Sequence, residues 1–215
     1  WRCQAPRRRR RRARAVSGNP EAGLKPWREV ITPHDDVAKG RYMEAEFAAD
    51  LNLVHKGGPN VPSEYGDPKE FFARTYLTDG LKDLLSIGAR RLNGESADPV
   101  VELQTNFGGG KTHSMLALYH LVSGVNYSDL PGVAEFFTDQ GFSGVPKCRR
   151  AVLVGNNFSA AEVDKKSDGV EVRTLWGEMA WQLGGAETYE LLKESDLAGT
   201  SPGKELLVKV MEKNA

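Results

Sequence analysis

The chain has 215 residues, of which 40% are hydrophobic and 27% are charged, and its formal net charge is zero. This composition supports a packed core and argues against a globally disordered chain, and no apolar run approaches the roughly 18–20 residues that span a bilayer. The two cysteines, Cys3 and Cys148, lie far apart, which disfavours a disulfide framework or a cysteine metal cluster, so we expect a cytoplasmic protein with no membrane partner.

The net charge of zero hides an uneven distribution along the chain. Eight of the 29 basic residues are arginines within the first fourteen positions. Residues 24–215 carry 21 basic and 28 acidic side chains, a net charge of −7. An acidic body of this kind does not present a broad nucleic-acid-binding surface.

Residues 1–23 form an Arg-rich tail that includes "RRRRRRARA". One interpretation is a basic arm for nucleic acid or another anionic surface. The other is a non-native stretch, coding sequence read upstream of the true start, because the chain begins at Trp1 and the run is of low complexity. In both cases like charges repel, so we expect the free tail to be disordered.

Residues 24–96 are predicted to form a small helical N-terminal subregion. It opens on the extended, proline-punctuated "KPWREVITPHDDVAKG". In "RYMEAEFAADLNLV" that follows, Met43, Phe47, Leu51 and Val54 recur at helical spacing, which predicts a helix with one apolar face.

Two more helices are predicted within this subregion. Asp67 and Pro68 are typical of an N-cap and a first helical residue, followed by "KEFFARTY". The stretch "LTDGLKDLLSIGARRL" then repeats leucines at amphipathic spacing, and "NGESADP" ends it.

Residues 97–215 alternate apolar runs with helical patterns. The short runs "VVELQT" and "RRAVLVGNN" suit buried strands. Helices are predicted over "SMLALYHLVSG", over "VRTLWGEMAWQLGG" with Leu175, Trp176, Met179 and Leu183 facing inward, and over the C-terminal "GKELLVKVMEKNA" after "TSP". This order predicts an α/β fold with a P-loop NTPase-like parallel sheet flanked by helices, incomplete at its C-terminal end.

Between the first predicted strand and its helix lies "TNFGGGKTH". Glycines let backbone N–H groups curl around a phosphate, a lysine supplies a compact cation, and a following hydroxyl can hold Mg²⁺ at a helix N-terminus. The sequence therefore predicts binding of ATP with Mg²⁺, with Thr112 as the metal ligand. The candidate cofactor-binding residues are Thr105, Asn106, Phe107, Gly108, Gly109, Gly110, Lys111, Thr112 and His113.

One position departs from the pattern G-x-x-x-x-G-K-[ST], because Thr105 stands where the first glycine is expected. That position is the entry to the loop, so the substitution changes how the loop begins more than its charge. The alternative is a glycine-rich turn with an exposed lysine and no ligand.

Other polar groups are weaker candidates. His34, Asp35 and Asp36 resemble a metal cluster, but a solvated turn with a helix cap is the commoner structure for such a loop. His120 is predicted to be partly buried. "EVDKKSDG" is predicted to be a surface loop.

Trp176 and Trp181 lie in an amphipathic pattern without interleaved basic residues, which favours packing over base stacking. Phosphate transfer also needs an acidic group near the metal, and no apolar run after the glycine loop ends in Asp or Glu. We therefore assign no catalytic residue.

The segments "KPWREVITPHDDVAKGRYMEAEFAADL", "YGDPKEFFARTYLTDGLKDLL", "VVELQTNFGGGKTHSMLALYHL" and "VRTLWGEMAWQLGG" together resemble a family of large prokaryotic AAA-type P-loop ATPases. That family is catalogued as a domain of unknown function and is linked to anti-phage defence clusters. The resemblance covers roughly residues 25–213. It implies an N-terminal fragment of a longer protein, ATP binding at residues 108–112, a DNA-associated protein complex as partner, and a homo-oligomer at full length.

Two hypotheses from different classes follow. In the first, the chain is the ATP-binding part of an ATPase that hydrolyses the nucleotide with residues beyond Ala215. In the second, it is a nucleotide-gated or nucleic-acid-binding scaffold without turnover.

Overall fold

The computed structural model describes residues 25–40, 49–106, 108–155 and 162–214, and most of its ordered elements are helices. The helices are α1 Trp27–Val30, α2 Asp35–Ala38, α3 Leu51–Lys56, α4 Ser63–Gly66, α5 Pro68–Ala73, α6 Asp79–Leu92, α7 Lys111–Leu121, α8 Val133–Gln140, α9 Leu175–Tyr189, α10 Lys193–Leu197 and α11 Lys204–Lys213. Two short strands, β1 Asp164–Lys165 and β2 Glu171–Val172, pair antiparallel.

The chain divides into two compact units, Trp1–Glu44 and Ala45–Ala215. Helices α1 and α2 belong to the first unit, and all the other elements belong to the second. The Arg-rich tail and residues 41–48 of the first predicted amphipathic helix lie outside the described residues. In that stretch the structure describes a helix, α3, from Leu51.

The predicted α/β fold with a parallel sheet is wrong. Within the described residues the sheet is a single antiparallel pair, β1 with β2, in which Asp164 lies opposite Val172 and Lys165 opposite Glu171. This hairpin lies between α8 and α9, where the sequence analysis placed a surface loop. The described part of the second unit is therefore a helical assembly with a small hairpin.

The first predicted strand fails because it has no lateral neighbour. Val100 and Val101 are 79% and 43% exposed, and no backbone–backbone hydrogen bond links residues 100–105 to another described segment. A strand exists only as part of a hydrogen-bonded ladder. A short apolar run by itself does not supply that partner.

The second predicted strand fails because a side chain bonds where a neighbouring strand would. The Val152 N–H donates to Gln182 Oε1 at 2.6 Å, and Gln182 Nε2 donates to the Val152 carbonyl at 3.0 Å. Gln182 lies on α9, so this extended segment is attached to a helix. The last two asparagines of "RRAVLVGNN" lie outside the described residues.

Several predicted helices are confirmed. The Asp67 carboxylate accepts from the N–H groups of Lys69 and Glu70 at 2.8 and 2.9 Å, and Pro68 opens α5 as predicted. The second leucine-rich stretch forms α6, with Thr78 as its N-cap. The first helix was recognisable from its local cap, and the second from the amphipathic spacing of its leucines.

The main core is built by α5, α6, α7 and α8. Its buried members come from all four helices and from the turn that precedes α8. They are Phe71, Phe72, Leu81, Leu84, Leu85, Ala89, Leu116, Ala117, Leu121, Leu130, Val133 and Phe137. A smaller cluster of Ala180, Leu192 and Val210 joins α9 to the C-terminal helices. Burial of these side chains fixes α7, and with it the glycine loop at its start.

Two predicted helices, α9 and the last one, differ in detail from the structure. In α9 the predicted inward face is half right. Leu175 and Trp176 are exposed, whereas Met179 and Leu183 are partly buried and Leu183 packs against the smaller core cluster. The helix also continues past the end of its predicted segment through a kink, since Gly185 has a φ of +64° inside it. The last helix begins at Lys204 and has no side-chain cap.

No helix in the described ranges combines the length and hydrophobicity that crossing a bilayer requires.

Candidate functional site

The glycine loop bends at residues with left-handed backbone. Gly108 and Gly110 have φ values of +82° and +73°, which side chains with a Cβ rarely adopt. Gly110 is also the N-cap of α7, so the helix begins at Lys111 directly after the turn. The sequence prediction of a glycine turn running into a helix therefore holds, although an unpaired segment and not a strand precedes it.

Gly109 is needed for a different reason, a close approach. Its N–H donates to the Asn106 carbonyl at 3.1 Å, which closes the turn. A Cβ at Gly109 would overlap the Thr105 hydroxyl and Cβ. The side chain of Thr105 therefore packs directly on the backbone of Gly109. Phe107, between them, lies outside the described residues.

The Lys111 ammonium lies over the entry to the loop. Its Nζ donates to the Thr105 carbonyl at 3.0 Å, to Thr105 Oγ1 at 3.1 Å and to the Asn106 carbonyl at 3.3 Å. All three acceptors are uncharged. Among the ion pairs of the described residues, none involves Lys111. The loop thus carries a positive charge that no described carboxylate neutralises.

The N-terminus of α7 adds further donors beside this charge. The first intrahelical bond runs from the Ser114 N–H to the Gly110 carbonyl at 2.8 Å. The N–H groups of residues 111–113 precede that bond, and Gly110 has no side chain that could cap them. Free N–H groups and the helix dipole favour an anion at this end. Thr112 lies in the same first turn and is half-buried.

His113 points away from the loop and joins α7 to α5. Its Nε2 is 2.9 Å from Thr75 Oγ1, and its ring lies 4.5 Å from the Phe71 ring. The Thr75 hydroxyl donates to the Phe71 carbonyl at 2.6 Å, so it accepts from His113 and the Nε2 carries the proton. Burial lowers the pKa of His113. This imidazole positions the first turn of α7.

His120, which was predicted to be partly buried, is only 2% exposed and lies in the core of the helices. Its Nε2 lies 2.7 Å from the Tyr65 carbonyl, which accepts and so fixes the proton on that nitrogen. Burial is the main cause that lowers the pKa of His120, and the nearby Arg150 lowers it further. Burial also lowers the pKa of His55, the third such histidine.

These histidines predict a stability that falls in mild acid. Their folded-state pKa values lie below the ordinary value of about 6.5, so the unfolded chain binds more protons as pH drops through that value. The free energy of unfolding should therefore be highest above about pH 6.5, where all three histidines are neutral in the unfolded chain as well, and it should decrease towards pH 5. Chemical denaturation at a series of pH values measures this.

The matched variants are His120→Gln, which removes the most buried of the three, and His34→Gln, which changes an exposed one. The first should reduce the pH dependence of the free energy of unfolding by the share of His120, and the second should leave it unchanged. A wild-type curve that is level between pH 7 and pH 5 would contradict the prediction.

A second polar cluster, which the sequence analysis missed, is built by the hairpin and α9. Lys166 and Glu178 form a buried ion pair at 2.5 Å, and Gln182 Nε2 donates to the other Glu178 oxygen at 2.7 Å. Lys166 also lies 4.6 Å from the centre of the Trp181 ring, and Trp181 donates to Asp168. Lys166 and Glu178 are 12 positions apart, and a pairing at this spacing produces no periodic pattern in the sequence.

This cluster borders a cavity of about 420 Å³. Three lysines line it. Lys165 pairs with Glu171 at 3.2 Å and Lys166 with Asp164 at 2.8 Å as well as Glu178, whereas Lys56 has no ion pair among the described residues. The charges of Lys165 and Lys166 are therefore offset by carboxylates, and that of Lys56 is not.

The "PHDD" loop gives no support for a metal site. Asp35 opens α2 and pairs with the exposed Lys39 at 2.6 Å, the arrangement of a solvated turn. No group of three His, Cys, Asp or Glu residues with metal-binding geometry occurs among the described residues.

Comparison with known proteins gives one match. Residues 24–138 match the family model described as the DUF499 N-terminal domain, which is more than half of the chain and includes the glycine loop. No curated protein and no solved structure matches the chain.

Proposed function

We propose that this chain, which belongs to the DUF499 family, binds the phosphates of Mg-ATP at the loop of residues 105–113. The observation that carries the proposal is the Lys111 ammonium, which lies on a glycine turn at the start of α7 with uncharged partners. An unneutralised cation beside open helix N–H groups is a site that attracts an anion.

Energetics favour phosphate over the present partners of Lys111. The present bonds of Lys111 join a charged donor to neutral acceptors, whereas a phosphate oxygen adds the attraction between two opposite charges. The helix N-terminus adds about 0.3–1 kcal/mol for a nearby negative charge at low ionic strength. Exchanging carbonyl oxygens for phosphate oxygens at Lys111 is thus favourable.

The residues of the loop take separate roles in this proposal. Gly108, Gly109 and Gly110 let the backbone approach the phosphates without a Cβ in the way. Lys111 contacts the outer phosphates, and the Thr112 hydroxyl supplies one ligand to Mg²⁺. Mg²⁺ ordinarily takes its other ligands from phosphate oxygens and water, so a single protein hydroxyl fits its chemistry. His113 acts through its bond to Thr75, which orients the first turn.

The proposal also includes two statements that rest on the sequence resemblance: that the full-length protein is an AAA-type ATPase, and that it acts in a DNA-associated defence complex. Neither hydrolysis nor an oligomeric interface is assigned to a residue.

A competition experiment tests the proposed ligand. Binding of fluorescent ATP in the presence of Mg²⁺ is challenged with inorganic triphosphate, with ATP and with AMP. If the loop recognises phosphates, triphosphate competes with ATP, and AMP competes at least about tenfold less well, a difference of about 1.4 kcal/mol. Equal competition by AMP and ATP would show recognition of the nucleoside and contradict the proposal.

The metal is tested with a threonine pair. Thr112→Val should remove most of the gain in ATP affinity that Mg²⁺ provides, because the hydroxyl is the proposed ligand. Thr138→Val, at an exposed threonine of α8 whose hydroxyl donates to the Ala134 carbonyl, should keep it. An undiminished gain in Thr112→Val would exclude this residue from the metal site.

A further inference from the structure

We propose that Thr105 is a positioning residue that holds the Lys111 ammonium on its own loop, so that a nucleotide must displace this contact to bind. The inference rests on the proposed function and adds a resting position for the lysine. Two of the three acceptors of Lys111 Nζ belong to Thr105, its carbonyl at 3.0 Å and its Oγ1 at 3.1 Å.

The resting ammonium has no spare donor. A lysine ammonium carries three N–H groups, and here Thr105 and Asn106 supply three acceptors. A phosphate oxygen therefore gains a bond from Lys111 only when one of these contacts breaks. Lys111 therefore cannot keep all three of these contacts and bond a phosphate oxygen at the same time.

The side chain of Thr105 is oriented for this contact. Its hydroxyl lies 3.2 Å from the Asn106 carbonyl as a donor, which leaves the oxygen lone pairs free to accept from Lys111. Gly109 makes the arrangement possible, because a Cβ there would overlap the Thr105 side chain. A glycine at position 105 would offer the lysine only a carbonyl. The residue that departs from the phosphate-loop pattern thus provides one of the three acceptors.

The consequence for affinity follows from populations. If only a fraction of the chains has the lysine released, the apparent dissociation constant equals the intrinsic one divided by that fraction. Removing the Thr105 hydroxyl while keeping the shape of the side chain increases the fraction. We expect Thr105→Val to bind Mg-ATP about 3- to 10-fold more tightly than the unmodified chain.

The experiment uses two readouts on three variants. The first is the rate at which an amine-acylating reagent modifies Lys111 without nucleotide, followed by mass spectrometry, with the exposed Lys204 as the internal reference. The second is the dissociation constant for Mg-ATP. Thr105→Val removes the hydroxyl, Thr105→Ser restores it, and Thr138→Val is the control at a different threonine hydroxyl that bonds a carbonyl.

The expected result is faster acylation of Lys111 and tighter ATP binding in Thr105→Val, with values near those of the unmodified chain in the other two variants. Unchanged acylation in Thr105→Val would overturn the inference. Faster acylation with unchanged or weaker ATP binding would also overturn it, because the contact would then not compete with the nucleotide. A failure of the proposed function is distinguishable, since the unmodified chain would then show no ATP binding at all.

Discussion

Replacing Lys111 with alanine should lower the affinity for Mg-ATP by about 100-fold or more. Charge-assisted hydrogen bonds are worth about 1.5–3 kcal/mol each, and two such bonds to phosphate oxygens amount to at least about 3 kcal/mol. The free energy of unfolding should change by only about 0.5 kcal/mol, because Lys111 bonds only to loop groups that are exposed to water. Isothermal titration calorimetry and denaturant unfolding measure the two quantities.

The matched control for this variant is Lys204→Ala. Lys204 also stands at the first position of a helix without a side-chain cap, in α11, but no glycine turn of the same kind precedes it. Its replacement should leave ATP affinity within about twofold. If Lys111→Ala and the unmodified chain bind Mg-ATP with equal affinity, the loop is not the binding site.

Replacing Asp196 with alanine should give a large loss of stability, about 3–5 kcal/mol. The Asp196 carboxylate is 1% exposed and accepts four hydrogen bonds. The donors are the N–H groups of Arg173 and Thr174 at 3.0 and 2.8 Å, the Thr174 hydroxyl at 2.5 Å and the Tyr189 hydroxyl at 2.9 Å. Alanine leaves these buried or half-buried donors without their acceptor, and each such loss costs about 1–3 kcal/mol.

The position of Asp196 explains why the effect should be cooperative. It joins α10 to Thr174, the N-cap of α9, whose Oγ1 in turn accepts from the Gly177 N–H at 3.1 Å. It also faces the Tyr189 hydroxyl, where burial, followed by the hydrogen bond to Asp196, raises the pKa of the phenol to about 12. One carboxylate therefore organises both ends of α9.

The control for this second prediction is Asp139→Ala, at an exposed position near the end of α8. It should change the free energy of unfolding by about 0.5 kcal/mol or less. Thermal and urea unfolding of the two variants make the comparison. A loss below about 1 kcal/mol in Asp196→Ala would contradict the account of this network.

The sequence predicted those parts of the fold that depend on local bonds. Asp67 and Pro68 mark the start of α5 because the cap joins residues two and three positions apart. The strands were wrong for the opposite reason, since a strand depends on a distant partner. At Val152 the hydrogen-bonding partner is the side chain of Gln182, and the apolar run around Val152 does not predict a partner 30 positions away.

The candidate site shows the same division. The glycines at positions 108 and 110, with their left-handed backbone, and the helix start after them follow from the residue types. The bond between His113 and Thr75, 38 positions apart, and the buried Lys166–Glu178 pair depend on tertiary packing. The inward face of α7 was also only partly predictable. Its sequence is apolar on several sides, and the structure leaves Met115 exposed while it buries His120.

The most direct test of the central claim is a nuclear magnetic resonance titration of the isotope-labelled chain with Mg-ATP, which follows each backbone amide. The proposal predicts that the amides of Gly109, Gly110, Lys111 and Thr112 show the largest shifts, and that these shifts saturate and disappear in Lys111→Ala. Saturating shifts that are confined to residues outside 105–113, or no shifts at millimolar nucleotide, would contradict it.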